Sequence, residues 1–149
     1  MNLRQYIETL KSDPFFMQNV ACWKELPARP ARYEPFPDSL DPRVIKAMDK
    51  RGVHRLYSHQ RQAVTAALDG EDIVVVTPTA SGKTLCYNLP VLDAILKNPD
   101  ARALYLFPTK ALSADQAAEL YALIDILGEP IKCYTYDGDT AAPARAAIR

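Results

Sequence analysis

One segment constrains the fold of this chain more than any other. Residues 77–84 read Thr-Pro-Thr-Ala-Ser-Gly-Lys-Thr, and they directly follow an apolar, β-branched run at residues 73–76. A strand, a glycine-containing loop and a helix in immediate succession form a phosphate-binding P-loop. The N–H groups at the start of a helix have no partners within the helix, and the helix dipole is positive there, so they bind anions well. The segment therefore predicts a nucleotide triphosphate site in an α/β domain.

Each part of this loop has an expected role. Gly82 lets the backbone approach the phosphates, Lys83 brings a positive charge to the β- and γ-phosphates, and Thr84 offers its hydroxyl to Mg²⁺. We therefore expect ATP and Mg²⁺ as ligands, with Lys83 and Thr84 as the catalytic residues and Thr84 as the metal ligand. The cofactor-binding residues of the loop are expected to be Thr79, Ala80, Ser81, Gly82, Lys83 and Thr84. The alternative is a chance Ser-Gly-Lys-Thr in an ordinary turn, which the flanking strand and helix patterns disfavour.

Strand and helix patterns alternate along the rest of the chain. Residues 73–76, 103–107 and 131–136 are predicted strands, and the segments between them contain helices at about 82–97 and after a capping box at 113–116. In the latter helix Leu120, Leu123, Ile124 and Leu127 form an apolar stripe. This order predicts a parallel sheet flanked by helices, the fold class of a P-loop NTPase. Three strands are few for such a sheet, so we expect it to be incomplete.

The N-terminal part has a different character. Residues 2–18 predict a short amphipathic helix, and proline-rich residues 26–42 predict an extended linker that Tyr33 and Phe36 pin to a neighbouring surface. Asp41 and Ser58 are predicted to cap the two helices that follow. We expect residues 1–54 to form an N-terminal extension and residues 55–149 the first part of an ATP-binding domain.

Composition excludes several classes of protein. Lys plus Arg number 18 and Asp plus Glu number 18, so the chain is not a basic nucleic-acid-binding module, and any nucleic acid must be held by a local site. Cys22, Cys86 and Cys133 lie far apart, which favours buried reduced thiols over a zinc site or disulfides. No signal peptide or membrane-spanning run is present, so we expect a cytoplasmic protein without a membrane partner.

Two loops and one helix start carry further candidate binding residues. Before the P-loop, Tyr57 and Gln60 are candidates for the adenine, because a glutamine amide can both donate to and accept from the adenine edge. The alternative for Gln60 is a surface residue on the first turn of a helix. At the ends of the second and third predicted strands the candidate nucleic-acid contacts are Pro108, Thr109, Lys110, Gly138 and Thr140. The alternatives are a strand-to-helix turn with a solvated lysine and an ordinary Asp-Gly turn.

Taken in order, these segments resemble the motifs of superfamily 2 helicases. Residues 55–60, the P-loop continuing to Pro90, residues 103–112 and residues 134–140 are similar to those of DEAD/DEAH-box DNA helicases, and Thr77 in place of the usual first glycine is typical of them. The resemblance covers about residues 40–149. It implies a RecA-like fold, ATP-dependent 3′→5′ unwinding of DNA, single-stranded DNA as the partner and a role in DNA repair.

The hydrolytic carboxylates of that family are not found in the sequence. No apolar strand ends in Asp-Glu, and Asp125 falls within a helical stripe, where we expect it to face solvent. We therefore expect a chain truncated before that motif, lacking the C-terminal helicase region and unable to turn ATP over. The alternatives are a catalytically inactive nucleotide-binding or interaction module, and another P-loop NTPase such as a kinase.

Overall fold

The computed structural model describes residues 2–28 and 30–148. The chain forms two units, which divide between Pro30 and Ala31. Each unit has its own helices, and the second contains all the candidate site residues.

The first unit contains two helices, α1 at Leu3–Ser12 and α2 at Pro14–Met17. The predicted single helix over residues 2–18 is interrupted, because the Asp13 carboxylate accepts a hydrogen bond from Phe15 N and Pro14 takes the first helical position. None of the residues of α1 or α2 is buried.

The second unit begins with a short antiparallel pair. Strand β1, Tyr33–Glu34, pairs with β2, Leu56–Tyr57, and the rings of Tyr33 and Tyr57 stack with centroids 4.9 Å apart. Phe36 is buried in the core. The proline-rich segment is thus held by its two aromatic residues, as predicted.

Two helices flank the second strand. Helix α3 spans Pro42–Lys50, and Asp41 caps it as predicted by accepting from Arg43 N at 2.8 Å. The backbone N–H of Asp41 in turn donates to the buried carboxylate of Asp93 at 2.7 Å. Helix α4 spans Ser58–Leu68, but its cap position is Tyr57 rather than Ser58.

Three helices complete the described chain: α5 at Thr84–Lys97, α6 at Lys110–Leu127 and α7 at Ala142–Ile148. The predicted apolar stripe of α6 is confirmed, since Leu120, Leu123 and Ile124 are buried. The core joins α3, α4, α5 and α6 through Leu40, Val44, Met48, Leu56, Val64, Leu89, Leu92, Leu120, Leu123 and Ile124.

The predicted capping box at residues 113–116 is wrong. Helix α6 begins one turn earlier, because the Thr109 hydroxyl accepts from Leu112 N at 3.2 Å and caps it there. Ser113 and Gln116 therefore lie inside the helix, where an N–H needs no side-chain cap.

Residues 73–76, 103–107 and 131–136 are neither helical nor paired in a sheet. Exposure alternates along residues 73–76 and 104–107. Val74 and Val76 are about nine-tenths exposed and the residues beside them are half-buried, a period of two that suits an extended chain. In the described part of the chain, β1–β2 is the only hydrogen-bonded sheet. The parallel sheet therefore stays a prediction.

Candidate nucleotide and nucleic-acid sites

The P-loop backbone is shaped by two residues with positive φ, Ala80 at 59° and Gly82 at 74°. Among the described residues, none of the backbone N–H groups of residues 79–84 donates a hydrogen bond to another group of the chain. A consecutive run of such donors ahead of helix α5 matches the anion-binding arrangement expected of a P-loop.

The Lys83 ammonium is held by oxygen atoms of its own loop. It donates to the carbonyl oxygens of Thr77 at 2.9 Å and Pro78 at 2.7 Å, and it lies 3.4 Å from the Ser81 hydroxyl. The hydroxyls of Thr77 and Ser81 are 2.6 Å apart, so threonine at the first position closes the loop through a side-chain contact that glycine cannot make. The positive charge thus sits within the curve of the loop.

Gln60 docks on the P-loop from the start of α4. Its Nε2 donates to Gly82 O at 2.9 Å, and its Oε1 accepts from Tyr57 N at 2.8 Å. Gln60 is only 3 % exposed, so the alternative of a surface glutamine is wrong. A ring nitrogen of His59 lies 3.0 Å from Ser81 O, which gives the same helix a second contact with the loop.

Tyr57 stands in a row of flat rings beside this contact. Its ring stacks on Tyr33 on one side and on His59 on the other, at centroid distances of 4.9 and 5.8 Å. Hydrogen bonding to Tyr57 raises the pKa of the Tyr33 hydroxyl above its ordinary value.

Thr84 contacts Gln116, a residue that the sequence analysis placed in a capping box and not at the site. Its hydroxyl oxygen lies 3.3 Å from Oε1 of Gln116, and the same Oε1 accepts from the Tyr87 hydroxyl at 2.6 Å. The signal was available in the helical spacing, because Gln116 lies four and seven residues before the core residues Leu120 and Leu123 and so faces inward.

The two candidate nucleic-acid loops lie side by side. The Lys110 ammonium forms an ion pair with Asp139, which joins the start of α6 to the turn at residues 137–140. Thr109 uses its hydroxyl as the cap of α6, and Pro108 is exposed beside it. The structure thus brings together candidates that lie about 30 residues apart in sequence.

The turn at residues 137–140 is held by many hydrogen bonds. The Asp137 carboxylate accepts from Asp139 N at 2.8 Å, and the Thr140 hydroxyl accepts from Asp137 N at 2.9 Å. The bond from Asp139 N lowers the pKa of the Asp137 carboxyl below its ordinary value, and the Lys110 charge adds to this effect. Sequence reasoning missed Arg145, whose guanidinium donates to the carbonyl oxygens of Asp137, Gly138 and Thr140 at 3.0, 3.1 and 2.7 Å.

The remaining expectations have mixed outcomes. Asp125 is exposed, as predicted. Cys86 is buried, which raises the pKa of its thiol, and Cys133 is half-buried, but Cys22 is exposed, so the prediction of three buried thiols is wrong. Among the described residues no three His, Cys, Asp or Glu side chains are grouped closely enough to hold a metal ion, and no helix there is long and apolar enough to cross a membrane.

The known proteins that the chain resembles are helicases. Residues 57–149 match the DEAD/DEAH box helicase family. The chain is 50 % identical over 148 residues to the ATP-dependent helicase YprA of Bacillus subtilis, covering 99 % of this chain and 19 % of YprA. It is 37 % identical over 147 residues to the ATP-dependent helicase HRQ1 of Saccharomyces cerevisiae, covering 97 % of this chain and 13 % of HRQ1.

A crystal structure of the helicase MrfA bound to DNA and AMPPNP is similar with a TM-score of 0.87 and 49 % identity, over 99 % of this chain and 20 % of MrfA. The likeness gives the described chain the RecA-like P-loop fold. The chain spans about one fifth or less of the length of these relatives.

Proposed function

Because the chain belongs to the DEAD/DEAH box helicase family, we propose that it is the ATP-binding segment of an ATP-dependent DNA helicase. In this proposal residues 55–149 form the first part of the ATP-binding domain, and residues 1–54 form an extension with a proline-rich linker. The proposal includes 3′→5′ unwinding and a role in DNA repair, both of which rest on the resemblance. Membership of this family leaves the kinase alternative without support.

The observation that carries the proposal is the P-loop itself. Residues 79–84 present N–H groups that are not used within the described chain, and the Lys83 ammonium lies beside them. Phosphate oxygens would accept from these donors, and Lys83 would exchange two neutral carbonyl partners for the charged β- and γ-phosphates. A charge-assisted hydrogen bond is about twice as strong as a neutral one, so this exchange favours binding.

The donor set also fits Mg²⁺ and adenine. The Thr84 hydroxyl is a hard oxygen ligand at the start of α5, the type that Mg²⁺ takes alongside phosphate oxygens. Bound Mg²⁺ would neutralise phosphate charge during hydrolysis. The Gln60 amide has two N–H groups and two oxygen lone pairs, of which the contacts to Gly82 and Tyr57 use one each, so one of each remains to pair with an adenine edge beside the Tyr57 ring.

For DNA, the proposed contacts are Pro108, Thr109, Lys110, Gly138 and Thr140. Lys110 would exchange Asp139 for a backbone phosphate, and the Gly138 N–H donates no hydrogen bond within the described residues. Arg145 covers the carbonyl oxygens of the same turn, which lessens their repulsion of a phosphate. The charge balance of the chain suits such a local site for single-stranded DNA.

Nucleotide binding tests this proposal directly. A fluorescent non-hydrolysable ATP analogue, titrated by anisotropy in the presence of Mg²⁺, should bind the chain, and Lys83→Ala should weaken binding at least tenfold, or by about 1.4 kcal/mol. Lys132→Ala is the matched control, because Lys132 is exposed and distant in sequence from the loop. Equal affinities of the original chain and Lys83→Ala would refute the site.

A further inference from the structure

Three polar side chains meet between helices α5 and α6, and the proposed P-loop accounts for only one of them, Thr84. Thr84 and Tyr87 lie three residues apart on one face of α5, and both approach the same oxygen atom, Oε1 of Gln116 on α6. All three residues are partly shielded from solvent. A side-chain carbonyl oxygen has two lone pairs, so it can accept from both hydroxyls at once.

The Tyr87 contact fixes Gln116. At 2.6 Å it is a short hydrogen bond, and it holds the amide oxygen toward α5. The Thr84 contact is longer, 3.3 Å, so Gln116 guides this hydroxyl without holding it tightly. The amide is therefore an acceptor already turned toward Thr84.

The direction of the Thr84 hydroxyl proton matters for a cation. A hydroxyl has one proton and two lone pairs, and only the lone pairs can bind a metal ion. A threonine hydroxyl can otherwise donate to a nearby backbone carbonyl oxygen. Donation to Gln116 Oε1 points the proton toward α6 and leaves the lone pairs free on the other side of the oxygen.

We propose that Gln116 is a positioning residue that orients the Thr84 hydroxyl for Mg²⁺, with Tyr87 holding Gln116 in place. The inference rests on the proposed function, in which Thr84 is the Mg²⁺ ligand. Gln116 does not touch the metal or the nucleotide in this arrangement. Its effect is confined to the part of nucleotide affinity that depends on Mg²⁺, since residues 79–84 bind phosphate by other groups.

The experiment separates the Mg²⁺-dependent part of the nucleotide affinity from the part that does not depend on Mg²⁺. The dissociation constant of a fluorescent non-hydrolysable ATP analogue is measured with Mg²⁺ and with EDTA in its place, for the original chain, Gln116→Met and Gln116→Glu. Methionine keeps the length of the side chain but has no acceptor of comparable strength, whereas glutamate keeps an acceptor oxygen. Gln62→Leu is the control, because Gln62 is an exposed glutamine on α4.

Loss of an outer-shell partner typically lowers metal affinity 10–100-fold. We therefore expect Gln116→Met to reduce the gain in affinity from Mg²⁺ by about tenfold, while affinity in EDTA changes by less than about twofold. Gln116→Glu should retain the gain, and Gln62→Leu should match the original chain. Thermal unfolding without nucleotide checks that each variant is folded, and Gln116→Ala replaces Gln116→Met if the latter is not.

Two results would overturn the inference. One is an unchanged Mg²⁺ gain in Gln116→Met; the other is an equal loss with Mg²⁺ and with EDTA, which would show a merely structural role. If the original chain still binds nucleotide in a manner that needs Lys83, the proposed function stands in both cases. If the original chain gains no affinity from Mg²⁺, the metal-ligand role of Thr84 and this inference fail together.

Discussion

Replacing Gly82 by alanine tests how much the contact between Gln60 and the P-loop contributes to the stability of the chain. Gly82 has φ of 74°, and a Cβ built on it would lie 2.5 Å from Nε2 of Gln60. No real side chain tolerates that separation, so Gln60 must move. Gly70 provides a control, because its φ is 83° and a Cβ there would meet nothing within 4 Å.

The expected loss in the free energy of unfolding of Gly82→Ala has two parts. Alanine in the left-handed region costs about 1–2 kcal/mol at either glycine. Only at Gly82 does the change also displace Gln60, whose hydrogen bonds to Gly82 and Tyr57 contribute about 1 kcal/mol each. We therefore expect Gly82→Ala to lower the free energy of unfolding by about 3–4 kcal/mol, and Gly70→Ala by about 1–2 kcal/mol.

Urea denaturation of both variants and of Gln60→Ala measures these differences, and the double variant Gln60→Ala/Gly82→Ala closes the cycle. Once Gln60 is truncated, the second substitution should cost no more than Gly70→Ala does, because the collision is gone. Neighbouring residues that interact show such coupling, whereas independent sites add within about 0.5 kcal/mol. Equal costs for Gly82→Ala and Gly70→Ala would refute the reasoning.

Three further predictions concern the core, the cap of α3 and the cysteines. Leu123→Ala should lower the free energy of unfolding by about 2–5 kcal/mol, measured in urea, because Leu123 is fully buried where α6 meets the core. Hydrogen bonding to Arg43 lowers the pKa of the Asp41 carboxyl below its ordinary 3.8, so the stability that the ionised carboxylate provides is present at neutral pH and is lost as the pH falls through the lowered pKa. The Asp41→Asn variant should therefore lose less stability than the original chain when the pH is lowered below about 4. Iodoacetamide at about pH 8 should label exposed Cys22 quickly and Cys86 only after unfolding, as mass spectrometry of peptides would show, because burial raises the pKa of the Cys86 thiol and blocks access.

The elements that sequence reasoning predicted well are those specified locally. Asp41 followed by proline sets the start of α3, and the spacing of Leu120, Leu123 and Ile124 sets the buried face of α6. These signals need only neighbouring residues, so they can be read without knowing the fold. The same reasoning put the start of α6 too late, because Thr109 and Ser113 are both competent caps and only the chain geometry selects between them.

Contacts between distant segments could not be predicted in the same way. Gln116 meets Thr84 from 32 residues away, and Lys110 meets Asp139 from 29 residues away. The helical spacing of Gln116 indicates that it faces inward, but nothing local identifies Thr84 as its partner or distinguishes Lys110 from a solvated side chain. Strand pairing has the same non-local character, so the patterns at residues 73–76, 103–107 and 131–136 predict extended segments but do not identify their partners.

The two glutamines have a common role that neither suggests alone. Gln60 ties α4 to the carbonyl oxygen of Gly82, and Gln116 ties α6 to the hydroxyl of Thr84, so two helices reach the same end of α5 through amides. An amide aligns backbone and hydroxyl groups without adding a net charge to the proposed site for Mg²⁺ and phosphates, whereas a carboxylate at either position would add one.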